Sequence, residues 1–112
     1  MKKSTLFKYL EYVSLCELRA KDYKVFLNIL SELVNFEEIT LNQNRVAEEL
    51  GITKSDVSKA LRRLEKNKII CFKWISERRK YLSLVEYDDD GLDEIIEEKI
   101  EERVSSEEDW EL

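Results

Sequence analysis

The chain has 112 residues, two cysteines, no histidine and a net charge of -6. That length bounds it to one small core, and without histidine neither the usual Cys/His zinc sets nor a Cys/His nucleophile pair can be assembled. No Gly-rich phosphate loop, nucleophile with a base or paired-carboxylate pocket argues for catalysis, so no metal, cofactor or catalytic residue is expected. No run of about 18 apolar residues offers a membrane span, and the opening MKKSTLFKYLEYV interrupts its apolar residues with Lys8 and Glu11, unlike a signal peptide; the expectation is a cytoplasmic protein without a membrane partner.

The charge is unevenly placed. Residues 1 to 85 hold 17 basic and 11 acidic side chains, a balance of +6, and residues 86 to 112 hold 2 and 14, a balance of -12; the two sum to -6. Residues 54 to 80 alone hold 10 basic against 3 acidic, while residues 1 to 53 hold 7 against 8. An acidic chain can therefore still meet an anionic partner through one basic segment. The 18 Glu and 12 Lys against a single Gln match a bias of proteins from hot environments, although the lack of Pro points the other way.

Residues 1 to 21 form an N-terminal segment expected to pack on the core. Leu6, Leu10 and Val13 favour a helix there, with FKYLEYV as an edge strand the alternative. From about 22 to 35, Val25, Phe26, Ile29, Leu30, Leu33 and Val34 recur at helical spacing, with Asp22 as a cap. EEIT suggests a short strand. NQNRVAEEL follows as a helix capped by Asn42, with Val46, Ala47 and Leu50 inward and Gly51 ending it in the left-handed conformation.

Thr53 and Asp56 make a shortened capping box for a helix from about 54 to 66. On a helical wheel Val57, Ala60, Leu61 and Leu64 form its buried stripe. Ser55, Lys59, Arg62 and Lys66 lie at the opposite pole, with Ser58 and Arg63 flanking them and Lys54 at the first turn. A face so basic is presented to something anionic. Asn67 is expected to stop the helix in the left-handed region. KIICFKWIS and YLSLVEY then form a β-hairpin with Arg78, Arg79 and Lys80 at its tip.

The remaining residues, 88 to 112, make an acidic tail, partly disordered or a short amphipathic helix through Leu92, Ile96, Ile100 and Val104, with Trp110 and Leu112 available to a protein partner. Glu86, Asp88, Asp90, Gly91 and Glu97 fall at calcium-loop positions, but a strand precedes them and the apolar eighth position is Asp93, so the match is poor. Cys16 and Cys71 are either two thiols or one disulfide, which would close a loop of about 55 residues and stabilise by about 4 kcal/mol in the chain-entropy model.

LNQNRVAEELGITKSDVSKALRRLEKNKII resembles the helix-turn-helix of winged-helix proteins, especially multiple-antibiotic-resistance-type regulators and small plasmid replication initiators, and the hairpin resembles their wing. The resemblance spans roughly residues 22 to 87 and implies a mainly α, single-domain winged helix-turn-helix followed by the acidic tail. It implies a recognition helix at 54 to 66. Size, Glu and Lys bias and the cysteine pair also resemble the small winged-helix proteins of archaeal spindle-shaped viruses, which would place the protein in a host cytoplasm.

Such a fold is expected to bind double-stranded DNA through Lys54, Ser55, Ser58, Lys59, Arg62, Arg63 and Lys66, with Gln43 and Asn44 at a phosphate and Arg78, Arg79 and Lys80 in an adjacent groove. The expected role is transcriptional regulation. Alternatives are a replication or partition protein and a protein-interaction adaptor acting through the tail. A monomer is expected because no long apolar helix remains outside the core, with a homodimer the alternative.

Overall fold

The computed structural model describes residues 2 to 77 and 79 to 108, with side chains as far as residue 104; Arg78, Trp110 and Leu112 lie outside the described residues. The elements run α1 (Lys3–Leu15), α2 (Ala20–Asn35), α3 (Gln43–Leu50), α4 (Lys54–Lys66), β1 (Ile70–Trp74), β2 (Lys80–Leu84) and α5 (Asp89–Glu108). The fold is mainly α with one small hairpin, as expected. Contacts divide it into two units, Leu18–Val85 and a pairing of the chain ends up to Glu17 and from Glu86.

In the first unit, α2 begins two residues earlier than its apolar pattern suggested. Asp22 lies inside the first turn, where its Oδ2 accepts the Arg19 backbone N–H at 3.0 Å. Val25, Phe26, Ile29 and Leu33 are buried along α2, and Val46 and Ala47 along α3. Asn42 caps α3 by accepting the Arg45 N–H at 3.2 Å. Gly51 (φ 66) ends it in the left-handed region, letting the Ile52 N–H reach the Ala47 carbonyl at 3.0 Å.

The capping box of α4 is complete: Thr53 Oγ1 accepts the Asp56 N–H at 3.0 Å, and Asp56 Oδ2 accepts the Thr53 N–H at 3.3 Å. At the other end the left-handed residue is Lys68 (φ 59), not the expected Asn67. Asn67 keeps an ordinary backbone because its side-chain amide donates to the Arg63 carbonyl at 2.8 Å, prolonging the last turn by one residue.

The hairpin pairs antiparallel with Ile70 opposite Leu84, Phe72 opposite Leu82 and Trp74 opposite Lys80. Alternation puts these six on one face, and Cys71, Lys73, Tyr81 and Ser83 on the other. Ile69, Ile70, Leu82 and Leu84 join the buried core. The strand expected at EEIT shrinks to one bridge, in which Ile39 and Leu82 exchange N–H to carbonyl bonds of 2.9 and 2.8 Å.

In the second unit α1 packs on α5. The opening segment is helical, and its buried face is Tyr9, Tyr12, Val13 and Cys16. Tyr9, Tyr12 and Tyr87 pack mutually in edge-to-face and tilted pairs with centroids 5.9 to 6.4 Å apart. The acidic stretch expected as a partly disordered tail or short helix forms the 20-residue α5. Leu92 and Ile96 are buried, Thr5 Oγ1 donates to Asp89 at 2.7 Å and Lys8 pairs with Asp93 at 3.2 Å, so apolar burial and local cations offset the crowding of carboxylates. Asp88 Oδ1 accepts the Gly91 N–H at 2.6 Å, which turns one candidate calcium ligand toward the start of α5.

The two cysteines are free thiols, so the disulfide weighed above is not formed. Each sulfur has its own surroundings: Cys16 is buried with its thiol donating to the Tyr12 carbonyl at 3.4 Å, and Cys71 is exposed on β1 with its sulfur 3.1 Å from Ser83 Oγ.

Candidate nucleic-acid interface

The site grows from how α4 spends its buried side. Val57, Ala60, Leu61 and Leu64 are at most 2 % exposed, so the helix has one orientation open to it and its opposite face must meet solvent. Lys54, Ser55, Lys59, Arg62 and Lys66 are exposed there, and Ser58 is half-buried at the margin. Among the described residues Lys54, Lys59, Arg62 and Lys66 take part in no ion pair. Their charge is uncompensated and faces outward.

The acidic residue of the first turn is kept off this stripe. Asp56 pairs with Lys21 at 3.1 Å, and that ammonium, with the Thr53 backbone and hydroxyl, holds its carboxyl below the usual range. Arg63 departs from the flanking position expected of it. Its Nη1 donates to Asp22 Oδ1 at 2.9 Å, and Asp22 is fully buried, so Arg63 joins α4 to α2. Burying a carboxylate without a cation is costly, which explains the turn inward.

Gln43 and Asn44 open α3, where the first turn leaves backbone N–H groups without helical partners. With Thr40, Leu41, Asn42 and Lys54 they border an open depression of about 450 Å³. A second, more enclosed groove of about 220 Å³ lies between α4 and the hairpin, where Gln43, Ser58, Leu61, Arg62 and Glu65 face Phe72, Trp74 and Lys80.

Lys80 begins β2 and does not project from the hairpin tip. Its ammonium lies 4.2 Å from the Phe72 ring centroid and 5.3 Å from that of Trp74. Arg79 is in the turn, where its carbonyl accepts the Ile75 N–H at 2.9 Å, and its side chain is exposed. The groove thus brings together Gln43, Ser58, Arg62 and Lys80 from the expected set, leaves Arg63 out, and adds Glu65, Phe72 and Trp74. Period-two alternation of Phe72 and Trp74 was the signal for the last two, since it places both on the strand face that continues from Ile70.

A helix pair joined by a tight Gly turn, its second helix polar on the outer face, followed by a two-stranded hairpin that a bridge at Ile39 closes, decides the architecture. The fold is a winged helix-turn-helix. No family model matches the chain, and no curated protein matches it in sequence. Among solved structures, this winged helix is similar to a protein of Methanosarcina mazei described as a "possible transcriptional regulator", at 16% identity over 85% of this chain and 81% of that one, with a TM-score of 0.50.

It is also similar to MepR of Staphylococcus aureus, a transcription regulator of the multidrug efflux pump MepA, at 20% identity over 98% of this chain and 82% of that one, with a TM-score of 0.47. PcaV, a transcriptional regulator of Streptomyces coelicolor, is 20% identical over 93% of this chain and 69% of that one, with a TM-score of 0.46. The resemblance to regulators read from the sequence extends to three dimensions, as a likeness of fold. The narrower resemblance to archaeal viral proteins finds no support. Among the described residues no helix is long and apolar enough to cross a membrane.

Proposed function

We propose that this winged helix binds double-stranded DNA with sequence preference and acts as a transcriptional regulator. α4 enters the major groove, Arg62 meets a base edge, and Lys59 and Lys66 meet phosphates. The observation that carries this reading is the row of exposed cations on α4, Lys54, Lys59, Arg62 and Lys66, in no ion pair among the described residues and opposite a fully buried stripe. A helix of this width fits the major groove, and Arg and Lys are the side chains that read guanine there. Gln43 and Asn44 meet the backbone from the first turn of α3, and Arg79 extends the contact from the wing. The fold neighbour from Methanosarcina mazei, described as a possible regulator, agrees with this role.

The test is fluorescence anisotropy of the full chain on labelled duplex DNA across a range of salt concentrations. Binding should weaken steeply with salt, by about 0.9 in log affinity per log salt for each phosphate neutralised. Affinity that ignores salt, or no binding at low salt, overturns the proposal and leaves the protein-adaptor reading.

A further inference from the structure

The groove between α4 and the wing holds side chains that duplex recognition does not use. Trp74 is 62% exposed although it is the largest side chain on the hairpin, so burial is not what it contributes. It follows Phe72 on the same strand face, and Lys80 lies opposite it in register with its ammonium over both rings. Across the groove stand Gln43, Arg62 and Glu65.

We propose that this groove binds single-stranded DNA by stacking an unpaired base on Trp74. Aromatic faces beside a cationic groove are the physical means by which proteins hold single strands, because every base has a face to stack and every nucleotide a phosphate to neutralise. Lys80 and Arg62 supply the charge. The hold of an ammonium on an exposed ring is weak, so Lys80 can leave Phe72 and Trp74 for a phosphate when a base replaces it.

Glu65 separates this ligand from a plain phosphate channel. A carboxylate repels phosphate, but it accepts hydrogen bonds from the amino and imino N–H groups of a base. Pairing in a duplex engages the Watson–Crick edge of a base, and an unpaired base presents it to Glu65 and Gln43. A volume of about 220 Å³ admits a single base beside the two aromatic rings. The inference concerns a second nucleic-acid form, and it stands or falls separately from duplex binding.

The experiment uses the full chain carrying Trp110→Phe, so that Trp74 is the one remaining tryptophan. The protein is titrated with a short mixed-sequence DNA single strand and, separately, with the duplex of the same sequence, reading tryptophan fluorescence and anisotropy of the labelled DNA. The single strand should bind and quench Trp74. Adding Trp74→Ala should weaken single-strand binding roughly five- to 150-fold, the loss of one stacked base, while Trp74→Phe retains most of it and duplex affinity stays within about twofold. Failure of the single strand to bind or quench, or an equal loss on both DNA forms, overturns the inference. Duplex binding is read in the same experiment, so a negative single-strand result with duplex binding intact leaves the regulator proposal standing.

Discussion

Arg63 donates through Nη1 to Asp22 at 2.9 Å, and Asp22 has no exposed surface at all. Of the two consecutive arginines on α4, Arg62 faces solvent and its neighbour holds α4 to α2. Among the described residues, removing Arg63 leaves the buried carboxylate with the Arg19 N–H as its remaining donor. Arg63→Ala should therefore destabilise the fold by about 3 kcal/mol, the lower end for a broken buried pair because the arginine reaches solvent. Asp22→Asn in the same background should recover part of the loss. Urea unfolding of the single and double variants measures both, and additive losses would show that the two residues do not act as a pair.

Arg62→Ala should leave stability within about 0.5 kcal/mol, since the side chain is exposed and takes part in no ion pair among the described residues. On DNA it should cost about 1 to 3 kcal/mol and relax preference among sequences, whereas Lys66→Ala should weaken all duplexes alike and lower the salt dependence by about one phosphate. Anisotropy titrations against a selected site and a scrambled site separate the two. Equal losses on both sites for both variants would remove the division of roles.

The helix-turn-helix was legible because its signals are local. Asn42, Gly51, Thr53 and Asp56 act within a turn of themselves, and the Val57, Ala60, Leu61 and Leu64 stripe needs no partner to be recognised. Arg63 was misplaced for the opposite reason: its partner Asp22 lies 41 positions away, and a wheel that puts it beside the basic pole cannot show a buried acid waiting on another helix. For the same reason the sequence left disorder and a short helix both open for the acidic C-terminal stretch, which is the helix α5. Charge density there suggests disorder, and the apolar residues of α1 that receive Leu92 and Ile96 come from the far end of the chain. Phe72 and Trp74 were visible as strand residues, but the groove they line exists only once α4 stands opposite.

Leu92 is fully buried in the pairing of α1 with α5, so its truncation tests whether that pairing is a folded element. Leu92→Ala should cost about 3 kcal/mol, transfer and cavity terms together. Ile100→Ala, at a position 41% exposed, should cost well under half as much. Thermal unfolding followed by circular dichroism gives the comparison, and equal, negligible losses at both positions would return the segment to a solvated tail.

The thiols should differ sharply in reactivity. Burial pushes the Cys16 thiol above its ordinary pKa, which lowers its thiolate fraction as well as its access. Cys71 is exposed. An aromatic disulfide reagent near pH 8 should label one thiol quickly in the native protein and the second only on unfolding, and Cys71→Ser should abolish the fast phase. Two thiols reacting at one rate, or none in denaturant without reductant, would contradict the placement of the sulfurs.

Acid sensitivity should trace in part to Asp56. Lys21, then the Thr53 backbone and hydroxyl, hold its carboxyl below the ordinary value in the folded state. A depressed folded pKa means that the unfolded chain binds the proton more readily, so the stabilisation is complete above the unfolded value and fades as pH falls through the folded one. Between pH 7 and about 5 its contribution should be constant, and below about 4 it should decline. Asp56→Asn lacks that titration. The gap in melting temperature between the parent and Asp56→Asn should therefore be steady at neutral pH, narrow below about pH 4, and shrink with added salt because the Lys21 pair is exposed. A gap of the same size at pH 3 and pH 7 would show that the ion pair and the cap contribute nothing through the charge of Asp56.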